Sequence, residues 1–283
     1  MTVRLANHRG RAALVVDDRL VDLERRSGSL PADLMDALAR WDEIVAWSHG
    51  VEAADDDPPI DLDALGPCVP RPSKVFGVAL NYRKHAEETG AAIPTHPSVF
   101  TKFPSCLTGP VADVVLPSDW VDWEVELVVV IGRRGRNIRE NGALGYLAGY
   151  CVGQDFSERR VQMGDGNRPQ FSLGKSYDTF GPIGPAVTSL DGLVNPNDLA
   201  LTCELDGEVM QDSRTSDLIF SVPELVAYLS AICTLEPGDL IFTGTPSGVG
   251  AARRRPRFLR PGEVVTSTIE GLGTIRNRCT TPT

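Results

Sequence analysis

One short segment constrains the fold more than any other part of the chain. It runs from Asp122 to Gly132 and reads DWEVELVVVIG. Side chains alternate across a strand, so Asp122, Glu124 and Glu126 would share one face while apolar residues fill the other. An unpaired buried carboxylate costs several kcal/mol, and like charges on one face add to that cost. The segment therefore indicates either a half-exposed strand with solvated carboxylates or a buried strand whose carboxylates hold a divalent cation.

A further carboxylate favours the cation. Asp155 ends another predicted strand, which is a usual position for a site ligand. Two glutamates and an aspartate form an all-oxygen set suited to Mg²⁺, Mn²⁺ or Ca²⁺ rather than to structural zinc. Three protein ligands leave coordination positions for water and substrate, as a catalytic metal needs. The sequence therefore predicts a metal site at Glu124, Glu126 and Asp155.

A histidine and a glutamate one helical turn apart are candidates for a general base. His85 and Glu88 lie in the segment NYRKHAEE over 81–88. If that segment is helical, the carboxylate lies close enough to orient the imidazole and raise its basicity. Gly90 and Pro94, which follow, are typical of a mobile loop, so the pair would ride on a lid. The alternative is a surface helix with an incidental histidine.

Two glycine-containing segments add candidate ligand-binding groups. Lys175 lies among turn residues in GKSYDTFGPIGP, where it would stabilise an oxyanion or bind a substrate carboxylate. The alternative is an ordinary exposed loop lysine. Small residues in FTGTPSGVG over 242–250 let the backbone approach a ligand closely, and Thr245 adds a hydroxyl. The segment lacks the Gly-Lys-Ser/Thr ending of a phosphate-binding Walker A loop.

The charge balance excludes several classes of partner. The 283 residues carry 28 Lys and Arg against 38 Asp and Glu, a formal net charge of −10. Nucleic acids and anionic membranes need clustered positive charge, so neither is expected, and the arginine run over 253–257 is interpreted as a solvated loop. The six cysteines are scattered and interpreted as reduced thiols, and the N-terminus lacks a signal-peptide pattern. We therefore expect a cytoplasmic protein.

The chain divides into a short N-terminal module and a longer region. Residues 11–23 have the pattern of a hairpin, and residues 31–49 show helical spacing of apolar side chains. An acidic run followed by dense proline indicates a boundary near 66–73. The predicted modules are 1–70 and 71–283.

Strands dominate the second region. The predicted strands lie at 74–79, 122–131, 149–155, 199–205, 239–243 and 263–269, with the clearest helix at 223–232. Helices do not alternate regularly with these strands, and no Gly-x-Gly-x-x-Gly follows a strand, so a doubly wound nucleotide-binding fold is not expected. The predicted fold class is α+β, dominated by β.

Taken together and in this order, these segments resemble the fumarylacetoacetate hydrolase family. The resemblance covers roughly residues 74–279, and GKSYDTFGPIGP and TGTPSGVG match almost letter for letter. It implies a mixed β-sandwich roll with a small N-terminal α+β module, usually in a homodimer. It also implies one Mg²⁺ or Mn²⁺ ion per subunit, held by Glu124, Glu126 and Asp155.

The resemblance also implies substrate contacts. Arg159 and Gln162 fall where the family contacts its substrate, and Thr245 matches the threonine of the Thr-Gly-Thr-Pro motif. The variable loops at 91–97 and 163–170 would contact the distal end of the substrate.

The implied activity is metal-dependent cleavage of a carbon–carbon bond in an acylpyruvate-type 2,4-dioxo acid, through a metal-bound enolate. His85 and Glu88 match the lid pair that activates water, and Lys175 matches the lysine that polarises the substrate. Decarboxylation of oxaloacetate-like acids and isomerisation of 2-hydroxyhepta-2,4-diene-1,7-dioate-type acids use the same enolate and are the alternatives. A metal-dependent binding protein without turnover is a further class, which the presence of His85, Glu88 and Lys175 disfavours.

Overall fold

The computed structural model describes residues 2–164, 166 and 168–282, and strands dominate it. The described residues form seventeen strands. They are β1 (Arg4–His8), β2 (Arg11–Val16), β3 (Arg19–Asp22), β4 (Val75–Ala79), β5 (Ser98–Thr101), β6 (Leu107–Thr108), β7 (Val114–Val115), β8 (Val121–Asp122), β9 (Val125–Ile131), β10 (Leu147–Gln154), β11 (Ser157–Glu158), β12 (Gly181–Thr188), β13 (Ala200–Leu205), β14 (Glu208–Arg214), β15 (Leu240–Phe242), β16 (Val264–Ile269) and β17 (Gly273–Thr280).

Few helices interrupt the strands, and they are short. The α-helices are α1 (Leu23–Ser27), α2 (Leu34–Ala39), α3 (Trp41–Ser48), α4 (Arg83–Thr89), α5 (Arg159–Met163), α6 (Phe171–Gly174) and α7 (Val222–Ile232). Single 3-10 turns lie at Leu62–Ala64, Pro104–Cys106, Leu190–Gly192 and Thr215–Asp217, and a longer 3-10 segment lies at Glu140–Tyr146. Within the described ranges, no helix has the length and apolar character needed to cross a membrane. The predicted α+β class, dominated by β, is confirmed.

Most strands belong to one of two sheets. The larger sheet follows the order β3-β2-β1-β12-β10-β9-β15-β4-β5, with β6 joined to β12. The smaller sheet follows the order β14-β13-β16-β17-β7, and β8 pairs separately with β11. The pairs β15–β4, β12–β6 and β17–β7 are parallel.

Strand β9 lies in the middle of the larger sheet, and both of its faces are buried. Its odd-numbered residues, from Val125 to Ile131, pack in the same core as the inward side chains of β13, β16 and β17. Val128 and Val130 face the opposite way and pack with α2 and α3. Each such buried side chain contributes about 1.5–3 kcal/mol to folding. Glu126 continues the row of Val128 and Val130, so the sheet carries a carboxylate into the interior.

The N-terminal module adds three strands to the larger sheet. β1 pairs antiparallel with β12, and the predicted hairpin is confirmed as β2 and β3. The helical segment predicted over 31–49 is present as two helices, α2 and α3, which the backbone at Arg40 (φ −112°, ψ 32°) separates. Since strands on both sides of residue 70 share one sheet, the division into modules 1–70 and 71–283 stays a prediction.

The strand predicted over 122–131 is wrong at its start. The backbone N–H of Glu124 donates to Oε1 of Gln154 at 2.8 Å, and that of Val125 donates to Oε1 of Gln211 at 3.0 Å. These side chains replace a neighbouring strand, so β8 and β9 are separate elements. The other predicted strands are all present, with ends shifted by one or two residues.

Candidate active site

Two strand ends bring three carboxylates together. β9 begins where its antiparallel neighbour β10 ends, with Glu126 opposite Gly153. Asp155 directly follows β10, and its backbone N–H donates to the carbonyl of Glu124 at 2.9 Å. One oxygen from each of Glu124, Glu126 and Asp155 lies within 4.8 Å of the others, and all three residues are buried. The fold therefore groups the three carboxylates that the sequence singled out.

Lys175 places its ammonium group between two of these carboxylates. Its Nζ donates to Oε2 of Glu124 at 2.7 Å and to Oδ2 of Asp155 at 2.6 Å. The third donor hydrogen meets Oγ of Ser157 at 2.8 Å. Lys175 follows the short helix α6 and is only 2% exposed, so the alternative of an exposed loop lysine is wrong.

Lys102 is a second buried lysine at the cluster, and the sequence analysis missed it. Its Nζ donates to Oδ1 of Asp155 at 2.7 Å, to the carbonyl of Lys175, and to the carbonyl of Phe180 at 3.2 Å. Asp155 therefore accepts one lysine on each of its carboxylate oxygens. The Lys102 contacts also fix the backbone that carries Lys175.

Arg159 links the cluster to a fourth carboxylate. Its Nη1 donates to Oε1 of Glu124 at 2.7 Å and to Oε1 of Gln162 at 2.8 Å. Its Nε and Nη2 donate to Oδ2 of Asp122 at 2.9 and 2.7 Å. Asp122 also accepts the backbone N–H of Gly250 at 2.7 Å. Asp122 therefore fixes both Arg159 and the loop that contains Gly250. It lies outside the group of three possible metal ligands.

The cluster gives its two glutamates opposite pKa shifts. Burial acts to raise the pKa of Glu124, but Lys175 and Arg159 outweigh it and lower that pKa to about 2. Burial raises the pKa of Glu126 well above its usual value, and the charges of Asp155 and Glu124 raise it further. The positive charges of the protein alone therefore do not compensate for the burial of an ionised Glu126.

The loop after β15 holds Glu126 from the other side. The backbone N–H of Gly244 donates to Oε2 of Glu126 at 2.7 Å, and the positive φ of +102° at this residue favours glycine. The Thr245 hydroxyl donates to the carbonyl of Val125 at 2.9 Å and accepts from Nε2 of Gln211 at 2.8 Å. The hydroxyl predicted to meet substrate therefore holds this loop against β9.

The predicted histidine–glutamate pair lies on α4. His85 Nδ1 is 3.0 Å from Oε2 of Glu88, as expected for residues one helical turn apart. The Glu88 carboxylate also accepts the backbone N–H of Gly248, at 3.0 and 3.1 Å from its two oxygens. Glu88 therefore orients the imidazole and ties α4 to the glycine-rich loop.

A cavity of about 500 Å³ adjoins these groups. His85, Arg159 and Gln162 line it on the side of the carboxylate cluster. Trp120, Val249 and Phe258 give it an apolar wall. Of the predicted variable loop at 163–170, Met163 and Gly164 line the cavity, while residues 165 and 167 lie outside the described residues.

The three carboxylates fit a hard divalent cation. They offer only oxygen atoms, which Mg²⁺ and Mn²⁺ prefer, and they lie close enough for one ion to contact all three. The ammonium of Lys175 already stands between two of them, which shows that this position attracts positive charge. Burial and the charges of Asp155 and Glu124 raise the pKa of Glu126, and a bound cation would oppose both effects.

Comparison with known proteins identifies the family. The family model described as fumarylacetoacetate (FAA) hydrolase C-terminal matches residues 74–280. The chain belongs to the fumarylacetoacetate hydrolase family. The resemblance drawn from the sequence motifs is thereby confirmed, and the family assignment makes the protein an enzyme of a superfamily that includes metal-dependent members.

Two relatives cover most of the chain. A fumarylacetoacetate hydrolase domain-containing protein 2 homolog from Dictyostelium discoideum is 40% identical over 283 aligned residues, 94% of this chain and 92% of the relative. The mitochondrial oxaloacetate tautomerase Fahd2a from Rattus norvegicus is 40% identical over 92% of this chain and 83% of its own length. Since the rat relative is mitochondrial, the cytoplasmic location stays a prediction for this chain.

Solved structures share the whole fold. A protein from Mycobacterium smegmatis, provisionally named HpcE, is 47% identical and superposes with a TM-score of 0.93 over 99% of this chain and 100% of that one. The maleylpyruvate hydrolase from Sphingobium sp. SYK-6, in complex with manganese(II) and pyruvate, is 27% identical, with a TM-score of 0.82 over 99% and 100% of the two chains. These matches confirm the predicted fold of the family.

Proposed function

We propose that this protein is a metal-dependent enzyme that interconverts the keto and enol forms of a 2-oxo acid, with oxaloacetate as its substrate. The observation that carries the proposal is the buried group of Glu124, Glu126 and Asp155, joined through Arg159 to the cavity that His85 lines. The 40% identity to a rat oxaloacetate tautomerase supports the same reaction.

Glu124, Glu126 and Asp155 would hold the divalent cation. When bound, Mg²⁺ or Mn²⁺ supplies Lewis-acid stabilisation of the negative charge that an enolate carries. The cluster as a whole contains four carboxylates and three cationic side chains, so it carries one net negative charge. The carboxylates belong to Asp122, Glu124, Glu126 and Asp155, and the cations to Lys102, Lys175 and Arg159. Addition of a divalent cation leaves one positive charge, which favours binding of a substrate carboxylate.

Side chains that line the cavity, together with Lys175 in the adjoining cluster, move the protons and orient the substrate. With Nδ1 held by Glu88, the other ring nitrogen of His85 takes a proton from C3 of the keto acid. Lys175 exchanges its contact with Ser157 for the oxygen on C2 and donates a proton to it, and proton exchange with solvent then restores His85 and Lys175 for the next turnover. Arg159 and Gln162 orient the substrate between these groups.

The test is the rate at which enol-oxaloacetate converts to the keto form, followed by ultraviolet absorbance. EDTA-treated protein is compared with and without added Mg²⁺ or Mn²⁺. We expect acceleration only with metal, and a loss of about 100-fold or more in His85→Ala, since a positioned acid or base contributes that much. The neighbouring exposed Glu87→Ala is the matched control and should keep its rate. Full activity without metal would refute the proposal.

Carbon–carbon hydrolysis of an acylpyruvate is the second candidate. The maleylpyruvate hydrolase with bound manganese and pyruvate supports it, as does a histidine–glutamate pair suited to activating water. Product analysis by NMR on acetylpyruvate would show acetate and pyruvate. His85→Ala should then lose hydrolysis more than it loses decarboxylation of oxaloacetate, because loss of carbon dioxide needs no water; equal losses would contradict the water-activating role.

A homodimer is part of the same proposal, by analogy with the family. Light scattering on the purified protein measures it, and a monomer mass close to 30.6 kDa would contradict it.

A further inference from the structure

The cavity beside the carboxylate cluster is much larger than oxaloacetate requires. Its volume of about 500 Å³ falls within the roughly 300–1,000 Å³ typical of sites for drug-sized ligands. A four-carbon acid that reaches Arg159 and Gln162 fills only the near end. The rest of the cavity is therefore available to a part of a ligand that oxaloacetate lacks.

The far wall of the cavity is aromatic. The rings of Trp120 and Phe258 lie 4.9 Å apart at 34°, a packed arrangement that presents a broad apolar surface. Met163, which is 53% exposed, extends this surface, while Val249 is buried behind it. Apolar area that stays open next to a reactive site gains free energy when a ligand covers it.

The charge at this end does not favour a second carboxylate. The guanidinium of Arg160 lies 4.4 Å from the ring centre of Trp120, so one of its faces is taken up by the aromatic ring. Asp119 lies 4.0 Å from the same guanidinium and opposes an approaching anion. Arg160 also stays largely in solvent, where an ion pair is worth little.

We propose that the far end of this cavity binds an apolar, planar arm attached beyond C3 of a 2-oxo acid, such as an aromatic ring. This proposal rests on the proposed function, because the near end of the cavity holds the 2-oxo acid group. The arm packs against Trp120 and Phe258 beside the guanidinium of Arg160, so a 2-oxo acid that carries such an arm binds more tightly than oxaloacetate. No bond is made or broken in the arm.

Ligands that bind without being cleaved test the proposal. We would measure the Kd of 2-oxobutanoate and of 4-phenyl-2-oxobutanoate by calorimetry on Mg²⁺-loaded protein. The phenyl compound should bind about tenfold tighter or more, since burial of one large apolar group has that effect. Equal Kd values would overturn the proposal. If neither compound binds, the proposed function fails, and the cavity proposal fails with it.

Two variants and a control locate the arm. Trp120→Ala should remove most of the difference between the two compounds and leave the Kd of 2-oxobutanoate unchanged. Ala252→Trp, which fills the same cavity without removing a side chain, should weaken only the phenyl compound. Tyr228→Ala, which removes an exposed aromatic ring from α7, is the control. Retention of the full difference in both cavity variants would contradict the proposal.

Discussion

The two ends of the cavity are built in opposite ways. Behind the near end, which Arg159 and Gln162 line, Glu124, Glu126 and Asp155 lie at the ends of central strands, are buried, and have nearly all of their polar atoms engaged. At the far end, Trp120 and Phe258 lie on connecting segments and are only partly buried. In the proposed function, the carboxylates carried by the sheet would hold the metal, and the connecting segments would contact the distal part of the substrate. A change at the near end should therefore act on chemistry, and a change at the far end on affinity.

The largest expected effect comes from removing a carboxylate at the near end. Glu126→Ala should reduce turnover to the uncatalysed level and weaken Mn²⁺ binding by more than about 100-fold, beyond the usual loss for partners outside the ligand set. Metal titration followed by electron paramagnetic resonance measures the second quantity. Glu140→Ala, in the exposed 3-10 segment, is the control. Unchanged metal binding in Glu126→Ala would refute the assignment of this ligand.

Loss of the second buried lysine should act on stability. Lys102→Met leaves Oδ1 of Asp155 without its ion pair in the interior, so we expect the free energy of unfolding to fall by about 3–5 kcal/mol. Added Mg²⁺ should restore part of this loss, because it binds only the folded chain. Urea denaturation measures both effects, with the exposed Lys84→Met as control. Equal stability of Lys102→Met and Lys84→Met would show that Lys102 does not hold the cluster.

The smallest expected effect is a dependence of stability on pH in metal-free protein. The pKa of Glu126 is raised in the folded chain above its ordinary value of 4.5. As the pH rises above 4.5, Glu126 loses its proton in the unfolded chain before it does so in the folded chain. The free energy of unfolding therefore falls with pH until the pH passes the pKa of Glu126 in the folded chain. Glu126→Gln should remove that fall, and Mg²⁺ should reduce it. Denaturation from about pH 5 to pH 8 checks the sign, and a rise that Glu126→Gln abolishes would contradict it.

Much of the near end could be predicted from the sequence, because its residues follow local rules. Alternation along a strand placed Glu124 and Glu126 together, and helical spacing paired His85 with Glu88. Asp122 belonged to the same alternation, but it binds Arg159 instead, because the strand breaks after it. The alternation of side chains along a strand does not show where a glutamine side chain, instead of a neighbouring strand, accepts the backbone hydrogen bonds.

The remaining features depend on contacts between distant parts of the chain. Lys102 meets Asp155 across 53 positions, and no periodic pattern marks it. Trp120 meets Phe258 because the backbone N–H of Leu259 donates to the carbonyl of Val121 at 2.8 Å. Composition and spacing carry no information about such pairs, so the far wall of the cavity appeared only in the structure.

The most direct test of the account is exchange of the C3 hydrogens of 2-oxobutanoate in D₂O, followed by proton NMR. This compound has no carbonyl or carboxylate at C4, so its C3–C4 bond is not cleaved. Exchange of its C3 hydrogens therefore reports only on the enolate that every candidate reaction shares. We expect Mg²⁺ or Mn²⁺ to start the exchange in the EDTA-treated protein and Glu126→Ala to abolish it. If the metal binds at Glu124, Glu126 and Asp155 but the C3 hydrogens exchange no faster than in buffer alone, this site is not an enolate-forming centre.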